Sequence, residues 1–301
     1  MRDYHLENPG GSYDRDLKRA SCPLCDSLYV AGARCTKCFA PPDVIESIRS
    51  RKRPPKFVGL LGPSGSGKTV FLGMLLDLLS RGTDGMHGLA RGSFSMAAQK
   101  NLMLSLERQR FPEKTPSETD QWQWAHCEIR PAKKAAPFDL VTPDIAGEAV
   151  ASELAAPGSH ATVRSLIGKC SALITLVDLH EVVTRGQSQE FFAMQLVSYL
   201  CSYRRSNKRG RKVDIPLAIV FTKADMCQEV IDDAEGFARL NTGSLYQQCR
   251  AELSNVAFFA SSVAGSTATI VDAEGYSQLV PLRIEPRGFV EPLAWISSLL
   301  H

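Results

Sequence analysis

Short runs of apolar residues, rich in β-branched and aromatic side chains and bounded by turn residues, recur along most of this chain. They predict strands at Lys56–Leu61, Trp122–Arg130, Phe138–Thr142, Ala172–Leu179, Leu217–Thr222 and Val256–Ser261. Between them lie segments with helical spacing, which predict helices at Lys68–Ser80, Ala97–Gln109, Gln187–Tyr203, Gly243–Ser254 and Val290–Leu300. Strands alternating with helices imply an α/β fold: a mostly parallel sheet with helices on both faces. Trp122–Arg130 and Phe138–Thr142 are joined by a short link, so this pair is expected to run antiparallel. No internal repeat is visible.

Four zones follow. Residues 1–20 are polar and read as a disordered N-terminus, residues 21–40 hold a cysteine cluster, and residues 41–55 (PPDVIESIRSRKRPP) read as a linker with a short helical turn between prolines. The alternating pattern then occupies residues 56–301. Of the 301 residues 44% are hydrophobic and 22% charged, enough apolar material for a substantial core. A net charge of +3 does not by itself point to nucleic acid or membrane. No apolar run is long enough to span a bilayer and the first residues lack a secretion signal, so a cytoplasmic location is expected.

The chemistry begins after the first strand of the alternating zone. Gly62-Pro63-Ser64-Gly65-Ser66-Gly67-Lys68-Thr69 fits G-x-x-x-x-G-K-[ST], preceded by an apolar strand and opening a helix. Glycines let successive backbone N–H groups curl around an anion, and the helix N-terminus adds partial positive charge. Gly62, Ser64, Gly65, Ser66, Gly67, Lys68, Thr69 and Val70 are therefore expected to hold a nucleotide. Lys68 would reach the β- and γ-phosphates, and the Thr69 hydroxyl would ligate Mg²⁺.

Three later segments narrow the class. Asp144-Ile145-Ala146-Gly147 reads D-x-x-G after one strand; Thr222-Lys223-Ala224-Asp225 reads [NT]-K-x-D at the end of another; Ser262-Val263-Ala264-Gly265 is similar to S-A-x-G at the end of a third. The Asp225 carboxylate can accept both N1–H and the 2-amino group of guanine, a pair of donors adenine lacks. With the P-loop, these motifs stand in the order of the Ras-like, translation-factor-related GTPase superclass, which the chain resembles over residues 56–300.

The resemblance implies a Ras-like P-loop fold that binds GTP and GDP. It implies that Lys223, following Thr222, packs along the base, and that a backbone N–H near Ser262 or Val263 meets guanine O6, with Ser261 as an alternative register. It places Asp144 on Mg²⁺ and the Gly147 N–H on the γ-phosphate, a hydrogen bond that ends when the phosphate leaves. Glu148 stands where Ras-like proteins carry the glutamine that orients water; it either orients water or is simply solvated. Lys68, Gly147 and Glu148 are thus the expected catalytic set. A first-switch threonine, the second Mg²⁺ ligand, is expected within residues 111–120: Thr115 is the candidate, with Ser117 and Thr119 competing. Asp178, ending an apolar strand, also resembles a Walker B aspartate, so an ATPase is the competing enzyme reading. A GTP-binding scaffold that does not hydrolyse is the competing non-enzyme reading.

The cysteines carry a second, independent signal. Cys22-Pro-Leu-Cys25 and Cys35-Thr-Lys-Cys38 form two C-x₂-C knuckles nine residues apart, four thiolates suited to one tetrahedral Zn²⁺. So short a segment cannot fold on buried area alone, which makes a structural zinc the expectation. A ribbon ahead of the GTPase, the Pro112–Thr115 segment and the late RGFVEPLAWISSLL helix resemble the bacterial double-GTPase proteins. That implies a partner GTPase and a place in bacterial signalling or conflict systems. Arg204–Lys212 concentrates positive charge in a loop, either solvated or facing an acidic partner. With no aromatic residues interleaved, nucleic acid is not supported.

Overall fold

A computed structural model describes residues 19–51, 55–112, 123–131, 136–144, 147–185, 188–204, 212–271, 275 and 277–300. Its centre is a seven-stranded sheet of order β4-β5-β6-β3-β7-β8-β9. The strands are β3 (Phe57–Leu61), β4 (His87–Arg91), β5 (Gln123–Arg130), β6 (Phe138–Asp144), β7 (Cys170–Asp178), β8 (Leu217–Thr222) and β9 (Val256–Ala260). From β6 to β9 the pairings are parallel; β5 runs antiparallel to both β6 and β4. The α/β architecture and the antiparallel pair are as the apolar pattern predicts. The strand β4 is an addition: five residues with one leucine carry too little apolar pattern to signal a strand, and it forms by pairing along the edge of β5.

The central strands are apolar without alternation because both faces are covered. In β7, Ala172, Ile174 and Leu176 face one core with α2 (Lys68–Arg81), α3 (Gly92–Glu107) and α11 (Glu291–Leu299). Leu173 and Val177 face the other, with α5 (Ala161–Lys169) and α7 (Ser188–Arg204). Shorter helices α4 (Gly147–Ala155), α6 (Leu179–Arg185), α8 (Gln228–Asp232), α9 (Ala234–Asn241) and α10 (Gly243–Glu252) complete the layers. The helix α3 starts five residues before its expected position because its cap comes from afar: the Asp43 carboxylate accepts from the Ser93 N–H at 3.2 Å.

The cysteine segment packs on this second face. Strands β1 (Arg19–Ser21) and β2 (Leu28–Val30) form a small antiparallel hairpin, so the ribbon takes in Arg19 and Ala20. The segment following it folds as α1 (Pro42–Arg49), with Val44, Ile45 and Ile48 buried in the same core as the four cysteines and α5. A polar clasp fixes α1 to the sheet. The Ser47 hydroxyl lies 2.8 Å from His126 Nδ1, and His126 Nε2 lies 2.7 Å from the buried Asp139 carboxylate. Arg51 pairs with Asp139 and, at 3.2 Å, with Glu128. Burial pushes the Glu128 carboxyl up, but the Arg91 hydrogen bond and the Arg51 charge outweigh it and hold the group below its usual value.

One further hairpin lies outside the seven-stranded sheet. It is formed by β10 (Ser262–Val271) and β11 (Ser277–Arg287) and emerges directly from the end of β9.

Candidate nucleotide site

Apolar strand β3 delivers the chain to Gly62 at the carboxyl edge of the sheet, and α2 begins at Lys68. Gly65 and Gly67 take φ of +78° and +82°, the left-handed values that turn the loop back on itself and that residues with a Cβ rarely adopt. The buried Ser66 hydroxyl donates to the Pro63 carbonyl at 2.8 Å, and Lys68 Nζ arches over the loop to the Gly62 and Pro63 carbonyls at 3.0 and 2.9 Å. A Cβ on Gly62 would stand 2.5 Å from the Ser66 hydroxyl, so the first glycine of the motif is required for space.

Strand β8 ends at Thr222, whose hydroxyl donates toward the Ser66 carbonyl at 2.9 Å and so joins the two loops. Lys223 has φ +59°, unusual for a residue with a side chain and typical of a constrained functional loop. Its ammonium lies 2.5 Å from Asp178 Oδ2. Asp178 ends β7 and is engaged by Lys223 on the side of the Thr222–Asp225 loop. The Ser262 hydroxyl lies 2.9 Å from Asp225 Oδ1 and 2.7 Å from the Ala264 carbonyl, while the Ser261 N–H donates to the Phe221 carbonyl and the Ser261 carbonyl accepts from Ala224 N–H. Of the two serine registers, Ser262 is the one whose side chain meets Asp225.

A cavity of about 810 Å³ opens between these loops. Ser64, Gly65, Gly67, Lys68, Thr69, Val70, Gly147, Thr222, Lys223, Asp225, Ser261, Ser262 and Val263 line it, so most of the residues singled out in the sequence meet in one place. Gly62 and Ser66 stand behind the lining. Glu148 is exposed in the first turn of α4 and does not line the cavity. Gly147 presses on the P-loop: a Cβ there would sit 1.9 Å from the Ser64 nitrogen. Asp144 ends β6, beside the P-loop strand β3, but its side chain is outside the described residues, as are Thr115, Ser117 and Thr119. Most of the basic run, 205–211, also lies outside them.

Sequence reasoning missed part of the lining. Phe111 and Pro112 follow α3, His180 follows Asp178, Met226 follows Asp225, and Thr267, Thr269, Leu279 and Phe289 come from the β10–β11 hairpin and the residues after it. For His180 and Met226 the signal was adjacency to a motif end; the hairpin gave none beyond the serine that starts it.

The four cysteines meet in a second cluster. Their sulfurs all lie within 4.8 Å of one another, with Cys22–Cys38 and Cys25–Cys35 at 3.6 Å, and all four side chains are buried. Disulfide sulfurs stand at about 2.05 Å, whereas four thiolates about 2.3 Å from a tetrahedral ion stand about 3.8 Å apart. The donors therefore fit a closed metal site. Trp124 Nε1–H donates to the Cys38 carbonyl at 2.8 Å and Lys169 Nζ to the Pro23 carbonyl at 2.9 Å, fixing both knuckles to the sheet side.

No helix among the described residues is long and apolar enough to cross a membrane. No curated protein matches the chain. Among solved structures it is similar to the Arl6 BBS3 small GTPase of Trypanosoma brucei with a bound nucleotide analogue, at 12% identity and TM-score 0.38, covering 82% of this chain and 99% of that one. It is also similar to the signal recognition particle receptor SRb-GTP/SRX complex of Chaetomium thermophilum, at 17% identity and TM-score 0.38, covering 71% and 93%. The GTP-bound Ski7 GTPase-like domain of S. cerevisiae aligns at 15% identity and TM-score 0.39, covering 81% of this chain and 50% of that one. The family model for Double-GTPase 2 matches residues 56–280, which take in the P-loop, the D-x-x-G segment, the Thr222–Asp225 loop and Ser262. The chain therefore belongs to the double-GTPase 2 family and is a GTPase.

Proposed function

We propose that this protein holds GTP across the cavity, reads guanine with Asp225, and acts as a nucleotide-dependent switch. The observation that carries the reading is the joining of the P-loop to the base-side loop through Thr222 and Ser66, with Asp225 oriented by Ser262 on the far side of the same cavity. Asp225 accepts guanine N1–H and the 2-amino group, the aliphatic stem of Lys223 lies along the base, and a backbone N–H near Ser262 or Val263 donates to O6. Gly65, Ser66, Gly67 and Lys68 surround the β- and γ-phosphates with N–H groups and the ammonium.

Hydrolysis is in-line attack of water on the γ-phosphorus: the bond to the β–γ bridging oxygen breaks as the new P–O bond forms, giving GDP and phosphate. Lys68 neutralises charge on the leaving oxygens and the Gly147 N–H donates to the γ-phosphate. Thr69 lines the cavity next to Lys68 and Asp144 ends the neighbouring strand, donors of the hard-oxygen type that suits Mg²⁺, with Thr115 as the further ligand. When bound, Mg²⁺ supplies further neutralisation of phosphate charge. Glu148 stands outside the cavity lining, and no arginine lines it among the described residues. Slow intrinsic turnover stimulated by a protein partner follows, and the partner class in this reading is a second GTPase in a bacterial signalling or conflict system. The cysteine cluster is read as a structural zinc site, since its four donors leave no open position.

Competition binding with GTP, GDP and ATP, followed by single-turnover hydrolysis, tests the reading. Guanine nucleotides should bind and ATP should not compete. ATP binding at equal strength would favour Asp178 as a Walker B residue; tight GTP binding with no turnover would favour a non-hydrolysing scaffold.

A further inference from the structure

The cavity has one wall that none of the nucleotide motifs supplies. It is the β10–β11 hairpin, which is built to lean over the site. Between Ser262 and Thr267 the pairing with β11 shifts register three times. Such irregularities bend a strand, sharpen its twist and re-aim its side chains. The strands come close at Gly265, where an added Cβ would stand 3.1 Å from the Glu285 Cβ. At its other end the hairpin returns through Gly288, with φ +72° and a virtual Cβ 1.7 Å from the Ala260 carbonyl, so only glycine lets β11 exit across the end of β9. The next residue, Phe289, packs against Phe71 of the P-loop helix with ring centroids 5.0 Å apart. Both roots of the hairpin are therefore held at the site: one at Ser262 beside Asp225, the other on α2.

Beyond the irregular stretch the pairing is regular. Thr269 stands opposite Leu279 and Thr267 opposite Pro281, which puts Thr267, Thr269 and Leu279 on one face, and these three line the cavity. Ile270, on the other face, is exposed and does not line it. Leu279 is itself 41% exposed while facing a concave space, an apolar surface available to a ligand. Two hydroxyls and a leucine are the groups that suit a nucleoside, with its hydroxylated ribose and flat base.

We infer that the inner face of this hairpin, through Thr267, Thr269 and Leu279, contacts the nucleoside part of the bound nucleotide and sets how long it stays bound. This rests on the reading of the cavity as a nucleotide site. The motifs decide which base is accepted; the hairpin slows its departure. The mutual anchoring of hairpin, base-side loop and P-loop helix gives the wall a fixed position, so contact with it adds to retention without a large ordering cost.

Release of a fluorescent GDP analogue, chased with excess GDP, tests this in the full chain. Leu279→Ala should speed release about tenfold and Thr269→Val several-fold. Ile270→Ala, on the same hairpin but the opposite face, should leave release unchanged, and the preference for guanine over adenine should be unaltered in all three. Melting temperatures near wild type establish that each variant is folded. Release from both Leu279→Ala and Thr269→Val within about twofold of wild type, or equal acceleration by Ile270→Ala, overturns this inference alone. A wild-type chain that retains no guanine nucleotide overturns the nucleotide reading as well.

Discussion

The Thr222 hydroxyl lies 2.9 Å from the Ser66 carbonyl oxygen, tying the end of β8 to the P-loop across 156 residues of sequence. Thr222 is buried, so the bond is not exchanged for water. Valine keeps the shape and removes the donor. Thr222→Val should weaken GDP and GTP binding alike, by roughly fivefold, the worth of one ordinary hydrogen bond of about 1 kcal/mol. Fluorescence titration measures it; unchanged affinity would mean the two loops hold their spacing without this link.

Asp225 and Ser262 allow a sharper test because the chemistry of the base changes. Asp225→Asn replaces one acceptor by a donor, which mismatches the guanine 2-amino group and suits the 2-oxo group of xanthine, while the remaining amide oxygen still accepts N1–H. A site that pairs with specific base edges discriminates strongly. Preference should therefore move from GTP toward XTP by about a hundredfold or more in competition binding. Ser262→Ala removes only the hydroxyl 2.9 Å from Asp225, and should reduce GTP affinity without redirecting it. If Asp225→Asn binds GTP as tightly as wild type, the carboxylate does not read the base.

Gly147 supplies a prediction of a different kind. Its close approach to Ser64 leaves no room for a methyl group, and the atom it would strike is backbone. Gly147→Ala should displace the start of α4 from the P-loop and reduce single-turnover hydrolysis by at least about tenfold, with GDP affinity much less affected. Equal loss of GDP binding would show that Gly147 serves the loop's structure and not the γ-phosphate.

The motifs were legible because each is a local solution to a chemical problem. A glycine-rich turn ahead of a helix, or a lysine and aspartate closing an apolar strand, states its purpose within a few residues, and the positions of β3, β7 and β8 follow from runs apolar enough for two covered faces. What stayed hidden depends on distant partners. The start of α3 is capped by Asp43, fifty residues earlier. Helix α1 reads as a short helical turn in a linker, and its buried face is completed only by the ribbon and the sheet. Strand β11 carries Pro281, Pro286 and alternating charges, a poor strand in isolation that forms by pairing with β10. The roles of Phe111 and Leu279 at the cavity emerge only once the chain is folded.

The cysteine cluster shares its core with Val44, Ile45, Val163 and Ile167, so the ribbon and the nucleotide domain are expected to lose stability together. Stripping the metal with a strong chelator should release one equivalent of zinc and lower the melting temperature by more than about 5 °C. It should also change the tryptophan emission, because Trp124 donates to the Cys38 carbonyl. Cys38→Ser should reproduce the shift without chelator. A zinc-free protein with unchanged melting temperature would mean the thiols pack adequately by themselves.

Glu153 gives the pH dependence of the fold. Its carboxylate is fully buried and accepts from the Gly158 N–H at 2.9 Å, the His160 N–H at 2.7 Å and the Tyr199 hydroxyl at 2.8 Å, fastening α4 to the start of α5 and to α7. Burial alone would raise its pKa, but the His160 and Gly158 N–H groups and the Tyr199 hydroxyl outweigh burial and hold it below the usual 4.5. A carboxyl with a depressed folded-state pKa contributes stability that is present above the unfolded value and is lost as pH falls through the folded one. Glu153→Gln keeps the shape and one acceptor oxygen but loses the charge. At pH 7 it should be less stable by about 2 kcal/mol, the scale of hydrogen bonds to a charged acceptor. The gap should narrow steadily as pH falls below about 4.5, where wild type surrenders the same charge. Denaturant melts of both proteins at pH 7, 5 and 4 measure the gap. A difference that stays constant with pH would mean Glu153 acts through shape and not through its ionised form.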